Sequence, residues 1–310
     1  MNSSAFVFPG QGSQKVGMGK DLFDAYPEAR RVFEEADKVL DLSLTSLCFE
    51  GPEENLRQTQ NAQPALLTMS LACLEAAQKL VEPVRRIKPA FLAGHSLGEY
   101  TALAVAGVTD YRSAIYLAKE RGRLMNEAGQ RTPGAMAAIL GLDEAIVNQV
   151  CAECGVWLAN INCPGQLVIS GSRENIEKAM PAAKARGAAR VVPLQVSGAF
   201  HSPLMQPAAD GLYRVLADFS LKDPVIPIIA NTTGEMITSA RAIKNELMYQ
   251  LNHAVQWQKS VEFMIEQGID TFIEIGSGNV LTGLIKRIDK TVQTRNIGNI
   301  NELHNLAIEP

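Results

Sequence analysis

The chain has 310 residues, of which 46% are apolar and 20% charged; that balance excludes intrinsic disorder, a collagen-like repeat and a small disulfide scaffold. Its 29 basic and 33 acidic residues leave a net charge of −4, which argues against nucleic-acid binding driven by overall positive charge. No apolar run is long enough to span a bilayer, and the N-terminus lacks the basic and apolar regions of a signal peptide. The five cysteines are scattered and odd in number, in a chain long enough to hold a core without staples, so a reducing cytoplasm is the expected compartment.

Taken from the N-terminus, Ala5 to Pro9 reads as a short buried strand that runs into the glycine-rich turn Gly10-Gln11-Gly12-Ser13. Helical patterns follow over Asp21 to Leu40 and Ala65 to Leu80; in the second, Leu67, Leu71 and Leu74 recur at helical spacing. Ala90 to Gly94 is a second buried strand. It leads directly into His95-Ser96-Leu97-Gly98 and an apolar helix through Ala106, and a further helix covers Tyr111 to Ala128. From Gly134 the pattern becomes strand, helix (Glu144 to Cys154), strand, strand, helix (Arg173 to Arg186), strand, which is the β-α-β-β-α-β order of ferredoxin-like folds. Gly129 and Pro133-Gly134 mark its start and Ser197-Gly198 its end. After Pro203 the α/β pattern resumes, with strands expected at Val225 to Ala230 and Thr271 to Ile275 and a last edge strand over Thr291 to Ile297. The expected organisation is a large α/β domain formed by residues 1–130 and 198–310, with a small ferredoxin-like α+β subdomain inserted at residues 131–197.

The stretch Gly94-His95-Ser96-Leu97-Gly98 fits G-x-S-x-G between a strand and a helix, the context that a nucleophile elbow requires. The chain must turn sharply there, so the flanking positions need glycines, and Ser96 projects from the tip. The helix that follows points its free N–H groups and positive dipole end at the same spot, which makes the Leu97 N–H available to an oxyanion forming beside Ser96. The competing reading of the motif alone is a βα turn with a helix-capping serine. A serine hydroxyl needs a base. Of the four histidines, His95 adjoins Ser96 and should diverge from it, His304 lies in the C-terminal tail and His253 in a polar stretch. His201 follows Ser197-Gly198-Ala199-Phe200, where the loops of an open α/β sheet gather, and is the candidate base.

Several stretches occur together in one order: Phe8-Pro9-Gly10-Gln11-Gly12-Ser13-Gln14, Gly94-His95-Ser96-Leu97-Gly98-Glu99-Tyr100, Arg121-Gly122 with Met125, Asn160 and Asn162 before Pro164-Gly165-Gln166, and Ile275-Gly276 with Gly278. Over nearly the whole chain this set resembles the malonyl-CoA:acyl-carrier-protein transacylases of type II fatty acid synthesis, and the acyltransferase domains of polyketide synthases. The resemblance implies a hydrolase-like parallel-sheet core with the ferredoxin-like insertion. It also implies ping-pong transfer of a malonyl group from malonyl-CoA to the phosphopantetheine thiol of acyl carrier protein, with Ser96 as nucleophile and His201 as base. Gln11 would stand in the oxyanion hole beside the Leu97 N–H, Arg121 would clamp the malonyl carboxylate, and Gln250 would orient His201 through its backbone carbonyl in place of a triad acid. No metal or redox cofactor, nucleic acid or membrane is implied, and a monomer is expected.

Each implied role has physical sense. Malonyl differs from acetyl by a carboxylate that a planar guanidinium can hold bidentately, although Arg121 read alone could equally pair with Glu120 or Glu127 on its helix. The family commonly shows Asn-Pro ahead of Val-Gln-Trp, where this chain has His253-Ala254 before Val255-Gln256-Trp257; losing that proline should loosen the loop carrying Gln250. In the polyketide acyltransferases a Phe before the base, here Phe200, accompanies malonyl choice over methylmalonyl. A serine hydrolase or thioesterase would keep the same site, but no strand-end acid is evident between Ser96 and His201. An inactive carrier-binding module is a third reading. Cys151-Ala152-Glu153-Cys154 has no second ligand pair at zinc spacing. Lys286, Arg287 and Lys290 make a basic helix that would suit an acidic carrier or simply face solvent.

Overall fold

The computed structural model describes residues 3–80 and 88–308. Its strands are β1 (Ser4–Phe8), β2 (Phe91–Gly94), β3 (Gly134–Leu140), β4 (Trp157–Cys163), β5 (Gln166–Ser172), β6 (Arg190–Pro193), β7 (Ile228–Ile229), β8 (Met236–Ile237), β9 (Thr271–Ile275) and β10 (Gln293–Ile297). Every residue of β1 is buried, as expected for a strand covered on both faces. Phe6 and Phe8 turn one way, into a core shared with Phe33, Leu67 and Tyr100. Ala5 and Val7 turn the other way, against Trp257, Val261 and Leu281. Those two cores are the helical layers of a three-layer α/β domain, and β1 divides them by its period of two.

The larger sheet runs β10-β9-β1-β2-β7-β8. All its pairings are parallel except the edge hairpin of β7 with β8. In β1 and β2, Phe8 lies opposite Gly94, so the segments leaving those strands, with Gln11 and Ser96, emerge side by side at the carboxyl edge of the sheet. Open α/β sheets bind ligands at that edge.

The inserted subdomain has its own antiparallel sheet, β4-β5-β3-β6, the ferredoxin-like order read from the sequence. Ala137, Ile139, Leu167 and Ile169 face the helices Glu144–Cys154 and Arg173–Ala185. The other face carries Met136 and Val168 into the main core. Backbone bonds also tie the subdomain to the large domain: Ile161 N–H donates to Val255 O (2.9 Å) and Val255 N–H to Ala159 O (2.8 Å).

Of the expected elements that differ in extent, three do so around a proline. Asp21 to Leu40 is two helices, Lys20–Ala25 and Pro27–Leu40, because Tyr26 is held extended before Pro27, which opens the second helix. The helix expected from Ala65 starts earlier and runs Thr59–Leu80 with Pro64 inside it. The strand expected over Val225 to Ala230 shrinks to Ile228–Ile229. Pro227 has no N–H to give the ladder, although its carbonyl accepts from Leu92 N–H at 2.9 Å.

Candidate active site

The turn between β2 and the helix Gly98–Val105 is an elbow whose glycines are demanded by close approach. A Cβ on Gly94 would stand 1.9 Å from the Gly98 carbonyl carbon, and one on Gly98 would stand 2.0 Å from the Phe8 carbonyl oxygen. Ser96 sits at the tip with φ 53°, and His201 has φ 57°. With Asp41 they are the non-glycine residues at positive φ among the described residues. Two of those three strained positions thus belong to one cluster, as strain at functional sites leads one to expect. Asn231, just beyond β7, splints the elbow. Its Oδ1 accepts from Ser96 N–H at 2.6 Å, and its Nδ2 donates to Gly94 O at 2.7 Å.

Ser96 Oγ lies 2.8 Å from His201 Nε2. His201 Nδ1 lies 2.8 Å from the Gln250 carbonyl oxygen. A carbonyl only accepts, so Nδ1 carries the proton and Nε2 is free to take one from the serine. Burial, and after it the Arg121 charge, push the imidazole down to about 3. The ring is therefore neutral at ordinary pH.

Arg121 is 1% exposed. Its Nη1 donates to Gln63 Oε1 (2.7 Å), and its Nη2 donates to Gln250 Oε1 (2.8 Å) and to Ser96 Oγ (3.0 Å). The guanidinium carbon lies 5.2 Å from the centre of the Tyr100 ring. The alternative, pairing with Glu120 and Glu127, is taken up by Arg123 instead. All three acceptors of Arg121 are uncharged oxygens, and no carboxylate pairs with it among the described residues. Glu99 is near but separated: Gln250 Nε2 donates to its Oε2, and Gln250 Oε1 faces the arginine. Burial, then the neighbouring Glu246 carboxylate, hold Glu99 well above the usual carboxylate range.

A cavity of about 360 Å³ opens over Ser96, His201 and Arg121. Gln11, Met125, Met136, Asn160, Leu194 and Phe200 are among its walls. Gln11 Oε1 accepts from Thr59 Oγ1 at 2.9 Å, which turns the amide so that its NH₂ end is the one left to donate. Leu97 begins the helix beside Ser96. His95 diverges from the serine, as expected, and its Nε2 meets Asn162 Oδ1 at 2.9 Å.

The six sequence-derived residues thus meet at one place: Ser96, His201, Arg121, Gln11, Leu97 and Gln250. The loop expected to loosen without its proline is held by other means. Gln250 N–H donates to Glu246 O at 2.8 Å, and Leu251 O accepts from His201 N–H at 3.1 Å. His253 Nδ1 caps Tyr249 O at 2.9 Å. Elsewhere, the helix expected to carry Lys286, Arg287 and Lys290 ends at Ile288, so Lys290 lies beyond it; Arg287 binds Gln166 Oε1 and Pro164 O across the two subdomains and Lys286 binds Val292 O, so both basic groups of the helix already have protein partners. Cys151 is buried in the subdomain core and its thiol is pushed up to about 12, mainly by burial. Reasoning from sequence missed Asn231, Gln63 and the role of Glu99. Gln63 left no separate signal, since Gln58, Gln60 and Asn61 stand just ahead of it.

A mostly parallel α/β sheet with a serine elbow at its carboxyl edge, backed by a neutral histidine and a guanidinium held by uncharged oxygens, defines an acyl-transfer enzyme of the hydrolase-like α/β class. The acyl transferase domain family matches residues 5–300. A malonyl CoA-acyl carrier protein transacylase from Bacillus subtilis is 48% identical over 299 residues, covering 95% of this chain and 93% of that protein. The crystal structure of a malonyl-CoA:acyl carrier protein transacylase from Xanthomonas oryzae aligns with a TM-score of 0.94 at 40% identity, over 99% of this chain and 98% of that one. A malonyl-transacylase solved in complex with its type II polyketide-synthase acyl-carrier protein aligns with a TM-score of 0.93 at 43% identity, over 99% of both chains. The chain belongs to the malonyl-CoA:acyl-carrier-protein transacylase family of acyltransferases.

The close approach at Gly98 gives a stability test. Gly98→Ala should lower unfolding free energy by ~3 kcal/mol or more in denaturant titration, since the added methyl meets backbone on a strand that cannot give way. Gly283, on the exposed face of the helix Val280–Ile288, has nothing within 4 Å of an added Cβ. Gly283→Ala should be neutral or stabilising by up to ~1 kcal/mol.

Proposed function

We propose that this enzyme moves the malonyl group from malonyl-CoA to the phosphopantetheine thiol of acyl carrier protein, through a malonyl-Ser96 intermediate, for fatty acid biosynthesis. The observation that carries the reading is the buried, anion-free guanidinium of Arg121, 3.0 Å from the hydroxyl that His201 is set to deprotonate. A thioester bound with its free carboxylate on Arg121 brings its carbonyl carbon to Ser96 Oγ.

In the first half-reaction His201 Nε2 takes the Ser96 proton as the Oγ–C bond forms. The tetrahedral oxyanion is met by the Leu97 N–H and the Gln11 amide. The C–S bond then breaks, and His201 returns the proton to the CoA sulfur. In the second half the carrier's thiol attacks the malonyl-serine, His201 takes its proton, and Ser96 Oγ recovers it as the leaving group. Gln250 O keeps Nδ1 protonated throughout and favours the imidazolium that forms between the steps. The transfer needs no metal or redox cofactor. Phe200, 5% exposed and in the cavity wall, supports an unbranched malonyl group. The five unpaired cysteines, four of them buried, are in keeping with the reducing cytoplasm.

Three measurements test this. Intact-mass spectrometry after malonyl-CoA should show one malonyl group on the wild type and none on Ser96→Ala, whose transfer rate should fall by about 1,000-fold or more; an adduct on the variant would overturn the nucleophile. Arg121→Ala should lower kcat/KM for malonyl-CoA about 100-fold, the size of a lost charge-assisted pair of ~3 kcal/mol, with no comparable loss on acetyl-CoA; equal losses would make Arg121 structural. Because the base is neutral down to about pH 3 in the free protein, kcat/KM should stay level as pH falls through about 6.5, the ordinary imidazole value. An acid limb centred there would contradict the assignment.

A further inference from the structure

Arg121 carries five N–H bonds in a fixed fork. Both hydrogens of Nη2 are engaged, one by Gln250 Oε1 and one by Ser96 Oγ, and Nη1 gives one to Gln63 Oε1. Nε is buried without a partner. A carboxylate can meet a guanidinium through either of two forks: end-on, with one hydrogen from each Nη, or side-on, with Nε–H and one from Nη2. Either fork needs an Nη2 hydrogen, so a bidentate carboxylate must displace one of its present acceptors.

The structure decides which one yields. Gln250 is fully buried, and its amide is pinned from the far side: Nε2 donates to Ser96 O at 2.9 Å and to Glu99 Oε2. Ser96, by contrast, lines the cavity with Arg121. The ligand therefore takes the hydrogen that Ser96 Oγ now accepts.

We propose that Arg121 gates the nucleophile as well as recognising the substrate: in the free enzyme its Nη2 restrains Ser96 Oγ, and the malonyl carboxylate arms the serine by drawing that donor away. The inference rests on the malonyl reading of the site. A hydroxyl oxygen whose lone pair points into a cation is a poorer nucleophile than one free to approach a carbonyl. The same cation disfavours a proton on His201, being the largest influence on the imidazole after burial, so pairing it with a carboxylate also strengthens the base. An acetyl thioester brings no anion and meets the restrained serine. Discrimination against it then appears in the rate of acylation and not in binding alone.

The test splits the malonyl group into its parts. Ser96 acetylation by acetyl-CoA is followed by rapid quench and intact mass, with and without formate, at matched ionic strength and at formate concentrations that competitively slow malonyl-CoA. Formate is small enough to sit on Arg121 beside an acetyl group. The expected result is a saturable acceleration of about fivefold or more, absent in Arg121→Gln. An unchanged or slower rate would overturn the gate. Saturation curves give a second readout: the gate puts the gap between malonyl-CoA and acetyl-CoA into the maximal acylation rate, and a gap confined to the half-saturating concentration would also overturn it. If malonyl-CoA leaves no adduct on Ser96, the malonyl reading itself fails; if the adduct forms and formate gives no acceleration, only the gate does.

Discussion

A positive charge buried without an anion is the constraint around which this site is arranged. Removing a guanidinium from water costs several kcal/mol even after relaxation, and a protein usually offsets that with a carboxylate. Here Arg121 receives only the oxygens of Gln63, Gln250 and Ser96, with the Tyr100 ring beneath it. Neutral acceptors hold the group in place and leave its charge unspent. Glu99, the acid that might have cancelled it, is kept one amide away and shifted toward its neutral form by burial. The positive field is thus held open for an anion arriving from solvent.

The fold brings these groups together by stacking strand ends. Gln11 follows β1, Ser96 follows β2 and Asn231 follows β7, three adjacent strands of one sheet. Arg121 and Gln63 come from two helices that touch closely because residue 122 is glycine; a Cβ there would lie 2.7 Å from Thr59 O. The subdomain supplies the opposite wall, with Met136 and Asn160 facing the cavity. Its backbone bonds to Val255 steady the segment that presents Gln250 to His201. One subdomain therefore roofs the site and also anchors the support of the base.

How much of this could be read in advance depended on whether a residue's type was forced by geometry. The elbow was legible because no side chain fits at 94 or 98, and β1 was legible as a buried strand because both its faces had to be apolar. Arg121 was ambiguous, since glutamates at 120 and 127 share its helix; they stand three and four positions from Arg123, which claims both. Asn231 left no pattern, because one amide after a two-residue strand looks like any turn. The proline missing near 254 misled for a related reason. Rigidity was sought in one residue, while the structure supplies it through hydrogen bonds to a strand about a hundred positions earlier in the sequence.

The backbone carbonyl behind His201 belongs to the same electrostatic design. A triad acid in that place would orient the ring equally well and hold the imidazolium more firmly. It would also put a permanent anion near Arg121, a single serine hydroxyl away from the imidazole. The guanidinium would then have a counter-charge of its own, and the field proposed to select a carboxylate would be partly cancelled. A neutral oxygen fixes the tautomer without that effect. For the proposed attack of Ser96 on an anionic acyl group, an imidazole resting on a peptide bond serves better than a charged triad, and one residue, Gln250, meets His201 with its backbone and Arg121 with its side chain.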